Sequence, residues 1–161
     1  MFPKLRFPEF NEPWENIKLG DILEFISTNS YSRSELNLDE GEIKNIHYGD
    51  IHTKFPTLVD CSIEKIPYIN SEVNVSKFKK EQYCRNGDLI IADASEDYED
   101  IGKAIELINV KNKVVSGLHT ILARDKNNKT VLGFRLLIFK WSTKKRYKNN
   151  RIQLIKAVLD T

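Results

Sequence analysis

The sequence predicts a single α+β domain with a mixed, mostly antiparallel twisted sheet, short helices and a basic helical segment at its C-terminal end. Three observations lead there. The chain has 161 residues, 40% of them hydrophobic and 10% aromatic, which is ordinary composition for one domain with a real core. Its apolar runs are short and alternate with polar turns, so strands outnumber helices. Gly-Asp or Gly-Leu corners recur beside apolar residues at Gly20-Asp21, Gly49-Asp50, Gly87-Asp88 and Gly117-Leu118. Glycine and aspartate are the residues that turn a chain at the end of an element.

Taken in order, residues 1–16 read as an extended lead with Pro3, Pro8 and Pro13. Trp14 to Ile26 carries apolar residues at 14, 17, 19, 22, 23, 25 and 26, a spacing that suits a short helix. Residues 27–42 are rich in Ser, Asn and charge and read as a loop. Ile43 to Tyr48 alternates and predicts a strand ending at Gly49-Asp50. Residues 53–82 predict loops, a short strand near 66–69 and a helical turn near Ser76-Lys77-Phe78. Asp88 to Ala92 is a near-continuous apolar run and predicts a buried strand. Ala94 to Asp100 is an acidic loop. Ala104 to Val110 and Thr120 to Arg124 predict two further strands, with a turn at Lys111-Asn112-Lys113 and Val114-Val115 leading into Gly117. Asp125 to Thr130 is another polar turn. Residues 134–141 are apolar, and 150–159 have helical spacing.

Charge is unevenly spread. Residues 126–159 hold ten Lys/Arg and no Asp/Glu, whereas residues 1–125 hold fifteen Lys/Arg against twenty-two Asp/Glu. An acidic module does not bind nucleic acid indiscriminately, because such binding rests on phosphate neutralisation. It is compatible with a module that reads base edges while a partner carries backbone affinity. The stretch Lys140 to Arg151 places six basic residues in twelve, with Trp141 and Tyr147 interleaved. That is the most nucleic-acid-like composition in the chain, although a helix packed on a partner or an exposed tail has the same composition.

Several chemistries find no support. No phosphate-binding Gly-x-x-x-x-Gly-Lys-Ser/Thr, no dinucleotide Gly-x-Gly-x-x-Gly, no Gly-x-Ser-x-Gly and no His-Glu-x-x-His occurs. No Pro-Pro dipeptide is present, so the Asn/Asp-Pro-Pro-aromatic motif of amino-methyltransferases is missing. Cys61 and Cys84 are the only cysteines, and without a secretory signal they are expected to be reduced and structural. They and His47, His52 and His119 lack ligand spacing, so no metal and no cofactor is expected. No run approaches the roughly 18 apolar residues of a membrane span, and the N-terminus lacks a signal-peptide core. A cytoplasmic protein without membrane contact is expected. One enzyme pattern survives: Asp21 with Glu42-Ile43-Lys44 has the rough spacing of a magnesium-dependent nuclease. It competes with a plain reading as a helix-start aspartate and a strand-edge charge pair. Glu96, Asp97, Glu99 and Asp100 read as a solvated acidic loop.

The corners, in their order and with their lead, resemble the target-recognition domain of the specificity subunit of type I restriction-modification enzymes. The residues that carry the likeness are Arg6-Phe7-Pro8-Glu9-Phe10 with Trp14, Tyr48-Gly49-Asp50-Ile51, Gly87-Asp88-Leu89-Ile90-Ile91, Gly117-Leu118-His119-Thr120-Ile121-Leu122-Ala123-Arg124 and Lys126 to Phe134. The resemblance implies a non-catalytic reader of double-stranded DNA over residues 1–135. It would recognise one half of a bipartite target and dock a methyltransferase subunit and, through the complex, the motor and nuclease subunit. Trp14, Gly20, Asp21, Gly49, Asp50, Gly87, Asp88 and Gly117 are then its structural motif residues. Arg33, Lys44, His47, Tyr48, His52, Lys54, Ser95, Tyr98, Lys111 and Lys113 are the side chains expected at DNA, because they combine base-edge and phosphate chemistry on turns. In that family two recognition domains are joined by helices. Here one is present, and residues 136–161 depart from the pattern, as an atypical tail, a truncation, or a half-subunit that pairs with a second copy. A truncated chain acting only as a protein-interaction module is a further reading.

Overall fold

A computed structural model describes residues 17–95, 102–128, 130–133 and 135–136. Its elements, in chain order, are helix α1 (Leu19–Ile22), strand β1 (Leu23–Ile26), a 3₁₀ turn (Arg33–Glu35), β2 (Leu36–Asn37), β3 (Lys44–Ile46), α2 (Tyr48–Thr53), β4 (Leu58–Asp60), β5 (Tyr68–Ile69), a second 3₁₀ turn (Lys80–Gln82), β6 (Leu89–Ala92), β7 (Ala104–Ile108), β8 (Val114–Ser116) and β9 (Thr120–Asp125). The fold class is α+β, as expected. Among the described residues the strands form two sheets rather than one. The larger runs β1-β9-β6-β7-β4 and the smaller β2-β5-β3-β8. Each is antiparallel except for one parallel pair, β4 with β7 and β3 with β8.

The larger sheet is covered on both faces. Along β6, Ile90 and Ala92 point into a core shared with Ile105, Leu107 and Leu122, with Ile46 of the smaller sheet and with Ile51 and Phe55 at α2. Leu89 and Ile91 point the other way, to Leu23, Ala104, Ala123 and Leu136. This two-sided burial explains the unbroken apolar run in β6. A third cluster, Tyr31, Ile43, Ile69 and Val115, fills the back of the smaller sheet. Glu106 is fully buried in β7. Its carboxylate accepts the Gly133 N–H at 2.8 Å and the Leu136 N–H at 3.4 Å, which ties the residues beyond β9 to the sheet.

Several expectations are corrected. The helix expected from Trp14 to Ile26 is only one turn among the described residues, because Leu23 to Ile26 pairs with β9, Leu23 opposite Asp125 and Ile26 opposite Leu122. Strand pairing overrides local spacing there. The strand expected to reach Tyr48 stops at Ile46, since His47 caps a helix that contains Gly49-Asp50. The loop at 27–42 contains a 3₁₀ turn and β2. Between 53 and 82 the edge strand β4 is additional, three residues too short to show a period. The helical turn expected at Ser76-Lys77-Phe78 is a turn closed by the Asn74 side chain, which accepts the Ser76 N–H at 3.0 Å. Helical geometry occurs instead at Lys80–Gln82. Val114-Val115 belongs to a strand. Trp14, Tyr98, Glu96, Asp97, Glu99, Asp100 and the tail from 137 onward lie outside the described residues.

The Gly87-Asp88 corner has a clear physical cause. Gly87 has a φ of +82°, a conformation that disfavours a side chain, and its N–H donates to the Leu107 carbonyl at 2.7 Å. Asp88 then meets Arg124 in a two-pronged ion pair, Nε to Oδ1 at 2.9 Å and Nη2 to Oδ2 at 2.7 Å, with both side chains buried. Arg124→Ala leaves Asp88 buried without its cation. Urea denaturation is expected to show a loss of about 3–5 kcal/mol. The double variant Asp88→Leu with Arg124→Met should lose less than that single change.

Candidate nucleic-acid interface

The candidate site is built around α2, where the ends of β3, β6 and β8 meet. The His47 ring accepts the Gly49 N–H through Nδ1 at 3.2 Å, so a neutral imidazole serves as the helix cap. Burial, with help from the nearby Arg33 and His119, pushes the His47 pKa below its ordinary value. That favours the neutral acceptor. The ring lies 4.6 Å from that of Tyr48. Tyr48 in turn meets His52 at 6.1 Å and His119 at 5.4 Å, both edge to face. Four rings from two chain segments therefore share one corner.

His119 reaches this corner through the turn between β8 and β9, where its own φ is +53°. A Cβ on the preceding Gly117 would lie 2.5 Å from the Asn45 amide nitrogen and 2.8 Å from the Ile46 carbonyl. Glycine is required for so close a backbone approach. Ser116 and Thr120 hydroxyls join across the turn at 2.7 Å. His119 Nδ1 sits 3.5 Å from Asp93 at the end of β6. His52 Nε2 is 2.9 Å from the Ala94 carbonyl, and Lys103 Nζ donates to the His52 carbonyl at 2.8 Å. Half-buried Ser95 follows Ala94, so the segment after β6 lies against α2.

Within α2, Asp50 is fully buried. It accepts hydrogen bonds from Arg33 and from Lys54, the latter at 2.9 Å. Burial alone would raise its pKa, but the hydrogen bonds and charges of Arg33 and Lys54 outweigh it, and the carboxyl titrates below its ordinary value. Beside the corner runs a cleft of about 480 Å³ lined by residues that include Asn29, Tyr31, Lys77, Asp93 and His119. Lys77 Nζ lies 5.6 Å over the Tyr31 ring.

Of the side chains expected at DNA, Arg33, His47, Tyr48, His52, Lys54 and Ser95 come together here. Lys44, Lys111 and Lys113 do not. Lys44 lies 5.5 Å over the Tyr68 ring, Lys113 is paired with Glu42, and Lys111 is exposed in the turn between β7 and β8. Strands β3 and β8 run parallel, with Lys44 opposite Val114 and Ile46 opposite Ser116. These lysines therefore sit at the beginnings of the strands, roughly 10 Å of strand from the ring cluster at their ends.

The nuclease pattern is also separated. Asp21 lies beyond the Leu23–Asp125 end of the β1–β9 ladder, whereas Lys44 pairs with β8. Asp21 leads into the larger sheet and Lys44 lies in the smaller, and Glu42 is engaged by Lys113. Among the described residues no group of three or more His, Cys, Asp or Glu is placed to hold a metal ion. Cys61 and Cys84 are buried free thiols; burial pushes Cys61 up to about 11 and Cys84 well above its ordinary value. No described helix is long and apolar enough to cross a membrane.

Sequence reasoning missed His119, Lys103 and Asp93 as members of the site. The signal for His119 was present in Gly117-Leu118-His119, a turn whose glycine fixes where the following ring lands. Nothing in the sequence pairs Asp93 or Lys103 with α2.

Of the motif residues, Asp50 and Asp88 are buried, and a Cβ on Gly87 or Gly117 would meet neighbouring atoms at close range. Gly20 contributes its carbonyl, which accepts Lys126 Nζ at 2.6 Å, while Asp21 is exposed.

No protein-family model matches the chain, and no curated protein is significantly similar to it. Among solved structures, one match is to a chain from work on the complex assembly and conformational transition of the type I R-M system. It has a TM-score of 0.54 and 16% sequence identity, and the match covers 92% of this chain and 32% of that one. The fold is thus shared with about a third of the length of that chain.

The lowered His47 pKa gives stability a pH dependence of known sign. The unfolded chain binds a proton on His47 near 6.5, and the folded chain only at lower pH. Stability is therefore full above that value and is lost as pH falls through the interval below it. Thermal midpoints between about pH 7.5 and pH 5.5 should fall for the native chain. They should fall less for His47→Asn, which retains a cap acceptor but cannot titrate.

Proposed function

We propose that this chain is the DNA target-recognition module of a type I restriction-modification specificity subunit. Residues 1–135 form the reading domain. It recognises one half of a bipartite double-stranded target, has no active site or cofactor of its own, and works in the cytoplasm. Its protein partners are the methyltransferase subunit and, through the complex, the motor and nuclease subunit. As a half-subunit it would pair with a second copy.

The observation that carries this reading is the fold shared with a type I R-M system chain over nearly the whole of this one. The match takes in 32% of that chain, which agrees with the expectation of one recognition domain within a longer subunit. The order of the Gly-Asp corners, noted from the sequence alone, points to the same family. The ring and cation corner at α2 supplies suitable chemistry: imidazole and phenol groups that can meet base edges, and Arg33, Lys54 and Lys103 that can meet phosphates.

With the matching methyltransferase subunit present, fluorescence anisotropy across a panel of duplexes should show salt-sensitive binding that prefers one half-site. Each changed base pair in that half-site should cost about 1–3 kcal/mol. Equal affinity for every duplex in the panel would overturn the reading.

A further inference from the structure

We infer that Arg33 and Lys54, held side by side by the buried carboxylate of Asp50, form a clamp for one backbone phosphodiester of nucleic acid. This rests on the DNA-reading function and assigns this part of the corner a task separate from base recognition. The two cations come from different places in the chain, one from the 3₁₀ turn before β2 and the other from the C-terminal end of α2. They converge on a single oxygen, Asp50 Oδ1. Asp50 is 0% exposed, while the side chains of Arg33 and Lys54 are 47% and 50% exposed. One buried negative charge thus anchors two positive charges whose outer faces meet solvent, leaving a net charge of +1 at the surface.

Donor arithmetic shows that the pair has hydrogen-bonding capacity to spare for an anion. Arg33 has five N–H donors and Lys54 three. Among the described residues each is seen to donate only to Asp50. The remaining donors suit the oxygens of a phosphodiester, which guanidinium groups meet two-pronged. Fixing both side chains on Asp50 before binding removes part of the ordering cost that free surface cations would incur. A phosphate contact of this kind positions the duplex and carries no sequence information. Arg33 and Asp50 both lie close enough to His47 to act on its charge, and the His47 ring is 4.6 Å from that of Tyr48, so the clamp adjoins the groups suited to base edges.

The test uses the full chain with its methyltransferase subunit and measures duplex affinity from about 50 to 200 mM salt. Native chain, Arg33→Ala, Lys54→Ala and Lys111→Ala are compared on preferred and non-preferred duplexes. Either single change leaves Asp50 with one cation, so the fold is retained, as thermal melting would verify. The clamp predicts that Arg33→Ala and Lys54→Ala each flatten the log–log salt slope by about one unit. Both duplexes should weaken by the same factor, and Lys111→Ala should change nothing. Sequence-specific binding with an unchanged slope in both variants would overturn the clamp and leave the reading function standing. A change in duplex preference without a change in slope would also overturn it. Salt-sensitive binding that ignores sequence but loses slope in both variants would support the clamp and overturn the reading function. No binding by the native chain would overturn both. Inorganic phosphate at matched ionic strength should not displace the duplex; displacement at millimolar concentration would assign the clamp to free phosphate instead.

Discussion

The paired charges of Asp88 and Arg124 are the constraint around which the two sheets are arranged. They face each other across β6 and β9, next to the Leu89–Ala123 pair. Arg124 also donates to the carbonyls of Glu81 and Tyr83, at 3.0 and 2.9 Å, and Asp88 accepts the Arg85 N–H at 2.8 Å. The segment held in this way joins the sheets: Tyr83 bridges Val115, and the Cys84 N–H donates to the Val114 carbonyl at 2.8 Å. Buried charges are costly unless every donor and acceptor is used. Here five hydrogen bonds engage the pair, and the same bonds place the smaller sheet against the larger.

That placement decides where the candidate corner lies. With the larger sheet covered on both faces, little of its surface is left for a ligand. The exposed chemistry collects where strands end, at α2, after β6 and in the turn between β8 and β9. Asp50 and Gly117 give this corner its form, one by holding Arg33 and Lys54 on one carboxylate and the other by admitting His119 close to β3. An overall acidic module is not at odds with binding a polyanion. Charges separated by more than about 8–10 Å are largely screened at physiological salt, so the local cations at α2 matter more than the net charge.

Much of the fold was legible in the sequence because its strongest signals are chemical. The unbroken run from Leu89 to Ala92 marked a strand buried on two sides. Gly87 and Gly117 marked turns, one at a positive φ and the other where β3 comes close. What was not legible depended on distant partners. Leu23 to Ile26 has helical spacing yet pairs with β9, far along the chain at Leu122 to Asp125. β4 is three residues long and is defined by β7. His47 looked like the end of a strand because nothing local says that its ring will cap a helix. Of the side chains singled out for the site, those around Tyr48-Gly49-Asp50 gather at one corner, while Lys44, Lys111 and Lys113 sit at the other end of the strands. Composition registers charge; only the direction of β3 and β8 shows at which end it is displayed.

The central claim is that DNA meets this chain at the α2 corner. Backbone amide NMR of the chain, with and without a duplex carrying its preferred half-site, tests it most directly. The account predicts shift changes concentrated at residues 28–35, 47–54, 93–95 and 117–120, with residues 44 and 111–113 unmoved. Changes centred on Lys44 and the Lys111–Lys113 turn, with the α2 corner silent, would contradict it.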